Sequence, residues 1–276
     1  MPDNSPRIYL LPNLMTAGNL FCGFGAVLKI LEGALLHAGT HEVEATGKFY
    51  LAIWLILGAC IFDLLDGRVA RLGGTESPFG REFDSLADIV SFGVAPALLV
   101  YKIVLVDFPR LGWVVAMVYL LCGALRLARF NCLAAADHVS ANKEFKGFPI
   151  PAAAGLIASL TLFMLWVAES ERNLGPWRWV LPLLMVFLSW MMFSRFRYPS
   201  FKSIDWRSTR SVPRFLAIAI VLYMTWVYRE WMPVVLFLAY LLYGFMRPWL
   251  SLAWRRRIEE DEEEDDGPDS GPAAGK

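Results

Sequence analysis

The chain has 276 residues, of which 57% are apolar, and a mean hydropathy of +0.46; 26 basic residues balance 26 acidic ones. This composition excludes a disordered chain and a soluble domain with its own core, and it places the protein among integral membrane proteins. No nucleic-acid partner is expected.

A membrane span needs roughly 20 apolar residues. Eight candidate runs occur, at about 14–34, 49–68, 86–106, 111–130, 150–168, 179–194, 213–228 and 232–248. The expected fold is therefore all-α, a polytopic transmembrane helical bundle of about eight spans. Residues 1–250 form its membrane domain. Residues 251–276 form a tail, basic then acidic, in which Glu259–Asp266 and Asp269 are joined by Gly and Pro; it reads as disordered and solvated.

Along the chain, the first polar signal is Leu11-Pro12-Asn13-Leu14-Met15-Thr16-Ala17-Gly18-Asn19. Pro12 suits the first turn of a helix. Thr16 and Asn19 are three apart and share a face, open either to interhelical hydrogen bonding or to substrate. No strongly basic segment precedes this apolar run, so no cleavable signal peptide is expected.

The densest signal lies between Asp63 and Asp88. It reads D-x2-D-G-x2-A-R-x8-G-x3-D-x3-D, with Asp63, Asp66, Gly67, Ala70, Arg71, Gly80, Asp84 and Asp88 as its fixed positions. Asp63 and Asp66 are three apart, and Asp84 and Asp88 four apart, so each pair lies on one helix face. The connection holds Gly73, Gly74, Ser77, Pro78 and Gly80, a turn-forming set. Two antiparallel helices would aim four carboxylates at one volume. A lone aspartate here would read as an interfacial cap, but four in register would repel one another without a cation. Oxygen-only ligands favour Mg2+ or Mn2+ over zinc. Gly67 leaves a notch for a phosphate or a backbone. Phe49 to Phe62 carry no charge, about 21 Å of helix, which puts Asp63 in the last third of a span.

Farther on, Arg126 and Arg129 point the same way from a span end, followed by Asn131. They suit either membrane anchoring or binding of a phosphate or carboxylate. Lys146 precedes Phe148-Pro149-Ile150-Pro151, where prolines open a helix, and Ala152–Gly155 allow close packing. The loop from Arg195 to Arg214 is basic and aromatic, with Lys202 its best functional candidate; such loops contact anionic headgroups or simply set topology. Cys22, Cys60, Cys122 and Cys132 lack metal-ligand spacing and read as packing residues.

With the amino terminus inside and the spans counted off, only Lys29, Lys48, Lys102, Arg110, Arg172, Arg178 and Arg229 fall outside; every other basic residue is inside. The positive-inside rule then places both termini and the aspartates on the cytoplasmic face. The expected location is the inner (cytoplasmic) cell membrane. An ion or proton transporter using buried acids is the alternative, but such sites lie nearer the midplane.

The aspartate pattern, at every fixed position, resembles the signature of the CDP-alcohol phosphotransferase family. The Pro12–Asn19, Arg126–Asn131 and Phe148–Gly155 segments further resemble its membrane-embedded phosphatidylserine synthases. The resemblance implies displacement of CMP from CDP-diacylglycerol by L-serine, assisted by two divalent cations. Glycerol phosphate and inositol phosphate are the alternative acceptors within the family. Asp63, Asp66, Asp84 and Asp88 would hold the metals, and Asp88 would also be the general base. Thr16, Asn19, Gly67, Ala70, Arg71, Ser77 and Gly80 would line the CDP-lipid; Arg126, Arg129, Asn131, Lys146 and Lys202 are acceptor-binding candidates. None of His37, His41 and His138 stands in a His-x-Lys sequence, so a covalent phosphatidyl-histidine route is not expected. The family also implies a homodimer, for which Gly18, Gly23 and Gly25 permit close helix contact.

Overall fold

The computed structural model describes residues 10–37, 42–72, 77–108, 110–136, 145–169, 179–194, 197–198 and 220–246. Helices α1 (Leu10–His37) and α2 (Glu42–Leu72) pack along each other. Thr16 meets Asp66 at one end and Glu32 meets Lys48 at the other, so the two run antiparallel. Glu32 is gripped by both Lys29 and Lys48 at 2.8 Å, which marks the end of the hairpin far from the aspartates.

α3 (Pro78–Asp88) begins at a sharply defined cap. The Ser77 hydroxyl accepts from the Gly80 amide at 3.0 Å, and Pro78 occupies the first turn, where its missing N–H costs nothing. The helix continues through a π-helical turn (Ile89–Val94) into α4 (Ala95–Ile103) and a short 3-10 turn, Leu105–Asp107. Next come α5 (Gly112–Ala136), α6 (Ile150–Glu169), α7 (Val180–Phe193), a helical stretch α8 over 220–227, and α9 (Met232–Met246). Two residues, Phe145–Lys146 (β1), pair antiparallel with Arg197–Tyr198 (β2). Gly147, at φ 91°, lets the chain fold onto the end of α7: its Cα faces the Met192 carbonyl, and the Phe148 amide donates to Met191 O at 3.2 Å.

Among the described residues five helices are long and apolar enough to cross a membrane: Leu11–His37, Glu42–Val69, Pro78–Ile103, Gly112–Cys132 and Ile150–Glu169. Val180–Phe193 and Met232–Gly244 are apolar but shorter, and the expected span at 213–228 lies partly outside the described residues. The third expected span starts earlier than its apolar run. Gly80 and Asp84 belong to the same continuous helix as the apolar residues after Asp88, because Ser77 and Pro78, not hydropathy, set its start. The tail from 251 lies outside the described residues.

The interior is built from small residues and a few large ones. Ala26, Ala52, Ala95, Ala153, Ala154 and Ala158 are fully or nearly fully buried, with Phe92, Tyr119 and Phe148 filling the space they leave. Large apolar side chains such as Phe21, Leu35, Trp113 and Trp190 point outward, as expected where the surroundings are lipid. Helices approach closely at several glycines. A Cβ at Gly23 would run into the Cα and side chain of Ser91, and one at Gly93 would meet Leu120 at 2.8 Å.

Gly23→Ala should therefore destabilise the folded protein by about 1–3 kcal/mol, through overpacking against backbone that cannot give way. Gly47→Ala, at a helix position with nothing within 4 Å, should be neutral or stabilising by up to about 1 kcal/mol. Thermal unfolding of both variants in detergent checks the contrast.

Candidate active site

Three helices bring the acidic residues together. α2 carries Asp63 and Asp66 in its last turns, α3 carries Asp84 and Asp88, and α1 lays Thr16 and Asn19 against both. One carboxylate oxygen from each of Asp63, Asp66 and Asp84 lies within 4.8 Å of the other two. Asp66 is buried and the other two are half-buried. Ionised carboxylates at such separation repel by roughly 3–4 kcal/mol per pair at an effective dielectric constant of about 20. A divalent cation among them removes that cost, and an all-oxygen donor set suits a hard cation. The three side chains thus fit a metal ion.

Asp88 stands apart from this triad. It lies one turn beyond Asp84, is buried, and accepts a hydrogen bond from Asn19 Nδ2 at 3.1 Å. Thr16 performs the same service for the triad: its hydroxyl reaches Asp66 Oδ2 at 3.1 Å, with the Pro12 carbonyl as a competing acceptor at 3.2 Å. The shared face of Thr16 and Asn19 read from the sequence is thus spent on aspartates, one each. Asn19 keeps its Oδ1 buried and without a hydrogen-bond partner among the described residues.

The other candidates are placed unevenly. Ser77 and Gly80 form the cap of α3, and a Cβ at Gly80 would crowd Ser77 Oγ at 3.2 Å and Asn13 Oδ1 at 3.3 Å. Gly67 is half-buried on α2. Asn131 Nδ2 donates to Ser85 Oγ at 2.8 Å, fastening α5 to the aspartate-bearing helix. Arg126 is half-buried, lies within electrostatic reach of Asp88 and Asp63, and its Nε has no hydrogen-bond partner among the described residues. Arg129 is exposed, so the two arginines differ in surroundings although they are three apart. Only the backbone is described for Ala70, Arg71 and Lys146, and Lys202 lies outside the described residues.

Three residues near the site escaped the sequence reading. Ser91 Oγ donates to the Asn19 carbonyl at 3.0 Å, and Tyr119 OH donates to the Phe92 carbonyl at 3.0 Å. Tyr240, on α9, lies within electrostatic reach of Arg126. The available signal for the first two was a lone hydroxyl inside an apolar run.

Carboxylate oxygens converging inside a helical membrane protein, beside a separately held aspartate, define a candidate divalent-cation site. The chain belongs to the CDP-alcohol phosphatidyltransferase family, whose profile matches residues 9–193. It is 38% identical to the CDP-diacylglycerol–serine O-phosphatidyltransferase of Helicobacter pylori strain 26695, over 91% of this chain and 95% of that protein. The Bacillus subtilis protein of the same name is 32% identical over 70% of this chain and 91% of its own length. An archaetidylserine synthase of Methanothermobacter thermautotrophicus is 37% identical over 68% and 69%.

Mg2+ or Mn2+ should raise the unfolding temperature of the protein, since ligand at about 100 times its Kd stabilises by about 2.7 kcal/mol. Asp84→Asn should raise the metal-free unfolding temperature by relieving repulsion, and should shrink the gain on adding metal. Thermal unfolding with and without EDTA reads both effects.

Proposed function

We propose that this protein transfers a phosphatidyl group from CDP-diacylglycerol to L-serine, giving phosphatidylserine and CMP. The observation that carries this reading is the alignment over nearly its whole length with a relative named CDP-diacylglycerol–serine O-phosphatidyltransferase, combined with the Asp63–Asp66–Asp84 cluster and Asp88 beside it. Asp63, Asp66 and Asp84, with Asp88 as the fourth ligand, would hold two divalent cations, Mg2+ or Mn2+. When bound, such ions supply charge neutralisation at the pyrophosphate and on the departing CMP.

The chain's own residues do the rest. Asp88 accepts the serine hydroxyl proton. The serine oxygen then attacks the β-phosphorus, and the bond to the CMP oxygen breaks with its electron pair leaving on CMP. No covalent enzyme intermediate forms. Asn19 holds the Asp88 carboxylate in orientation through its amide. Thr16, Asn19, Gly67, Ala70, Arg71, Ser77 and Gly80 border the CDP-lipid. Arg126 brings a buried guanidinium nitrogen to the acceptor carboxylate, with Arg129, Asn131, Lys146 and Lys202 as further acceptor candidates. The chain crosses the inner (cytoplasmic) membrane eight times with termini and site on the cytoplasmic side, an orientation that the distribution of its basic residues supports. It works as a homodimer in that bilayer, residues 1–250 forming the catalytic membrane domain and 251–276 a solvated tail.

The acceptor is tested by incubating purified protein and CDP-diacylglycerol with labelled serine, glycerol phosphate and inositol phosphate in parallel. Label should enter lipid from serine alone; label from another acceptor instead would overturn the assignment while keeping the chemistry. Asp88→Asn should retain CDP-lipid binding and lose about 10²–10⁴-fold in turnover. Arg126→Ala should raise the KM for serine about tenfold or more, with the CDP-lipid KM little changed.

A further inference from the structure

The helix that presents Asp84 and Asp88 does not run straight on into α4; over Ile89–Val94, starting directly after Asp88, it widens into a π-helical turn. A π turn carries one residue more than the α turn it replaces, and each residue of an α-helix advances about 100°. The faces of α3 and α4 are therefore offset from those of an unbroken helix, and the direction in which Asp88 points depends on how that turn is held.

It is held from two sides. On α5, Tyr119 is fully buried and donates its hydroxyl to the carbonyl of Phe92, itself fully buried, at 3.0 Å. In lipid such a carbonyl has no water to turn to. On α1, the Asn19 carbonyl accepts from Ser91 at 3.0 Å. Other hydroxyls within these helices behave differently: Ser85, Thr161 and Ser189 each donate to the carbonyl four residues earlier on their own helix. Ser91 reaches across to another helix instead, and Gly23 leaves the room it needs. The residue it grips is the one whose side chain donates to Asp88. Asp88 and Ser91, three apart, are thus tied to the two ends of one asparagine, and Tyr119 fixes the next peptide of the same turn.

The geometry points to Tyr119 and Ser91 as positioning residues for Asp88, acting through the π-helical turn. Neither touches substrate; together they fix where the carboxylate sits relative to the Asp63–Asp66–Asp84 cluster. This rests on the reading of Asp88 as the base.

The test uses full-length purified protein and begins with Asp88→Asn. If that variant keeps normal turnover, the base assignment falls and this positioning role falls with it. If it loses turnover, Tyr119→Phe is compared with the parent for serine-dependent CMP release, for binding of CDP-diacylglycerol, and for amide hydrogen exchange. The expected result is a kcat about ten- to hundredfold lower, as misplacement of a reacting group by about 1 Å produces. KM values should stay within about twofold. Exchange should quicken in peptides covering 84–94 and not in those from α6. Ser91→Ala, which removes a single oxygen, should change kcat and exchange in the same direction, and it carries the test where Tyr119→Phe does not survive purification. An unchanged kcat in a folded variant overturns the inference and leaves the base assignment standing. So does a fall in kcat matched by weaker binding of both substrates and by faster exchange throughout the bundle, which would mean that these hydroxyls support only the fold.

Discussion

Crowding carboxylates into a membrane protein is the constraint on which the rest of this structure depends. Asp63, Asp66 and Asp84 have oxygens within 4.8 Å of one another, with buried Asp88 close behind. Such a cluster is unfavourable in a low-dielectric setting unless it binds a cation. Three helices are committed to holding it. α2 and α3 bring the acids, and α1 contributes one hydrogen-bond donor to each helix: Thr16 to Asp66 and Asn19 to Asp88. The small residues of the interior follow from this, because α1, α2 and the π-helical turn must approach closely for side chains as short as Thr and Asn to reach across.

The site is also shaped by what surrounds it. The cap at Ser77, seven residues before Asp84, fixes where α3 begins. Asn131 clasps Ser85 on the flank of the same helix, and the half-buried Arg126 lies two turns of α5 away from Tyr119. α5 thus meets the aspartate-bearing segment at several levels, and it carries Arg126, Arg129 and Asn131. The opposite end of the α1–α2 hairpin is closed by the Lys29–Glu32–Lys48 group, so the two ends carry unlike chemistry.

Much of this was legible in the residues. Eight fixed positions at fixed spacing pointed to the family, and the spacing of three and four put each aspartate pair on one face. What remained hidden had physical causes. Hydropathy marks where a helix enters lipid, not where it starts, so Pro78 and Gly80, in the first turn of the Pro78–Ile103 helix, read as part of the connection. Apolar composition marks Val180–Phe193 without setting its length, and the helix has 14 residues. The sequence treats Asp63, Asp66, Asp84 and Asp88 alike, yet Asp88 is set apart, because the separation depends on Asn19 and on a π-helical turn that no periodicity announces. Arg126 and Arg129 share a side of α5 on a helical wheel, but only Arg126 lies under neighbouring elements.

The central claim is that the three converging carboxylates are one metal site within the helical bundle. Anomalous diffraction at the manganese edge, from crystals of the purified protein grown with Mn2+, tests it most directly. The account requires anomalous density in contact with Asp63, Asp66 and Asp84, lost in crystals of an Asp63→Asn, Asp84→Asn double variant. Manganese bound elsewhere with this cluster empty, or density that persists in the double variant, would contradict it.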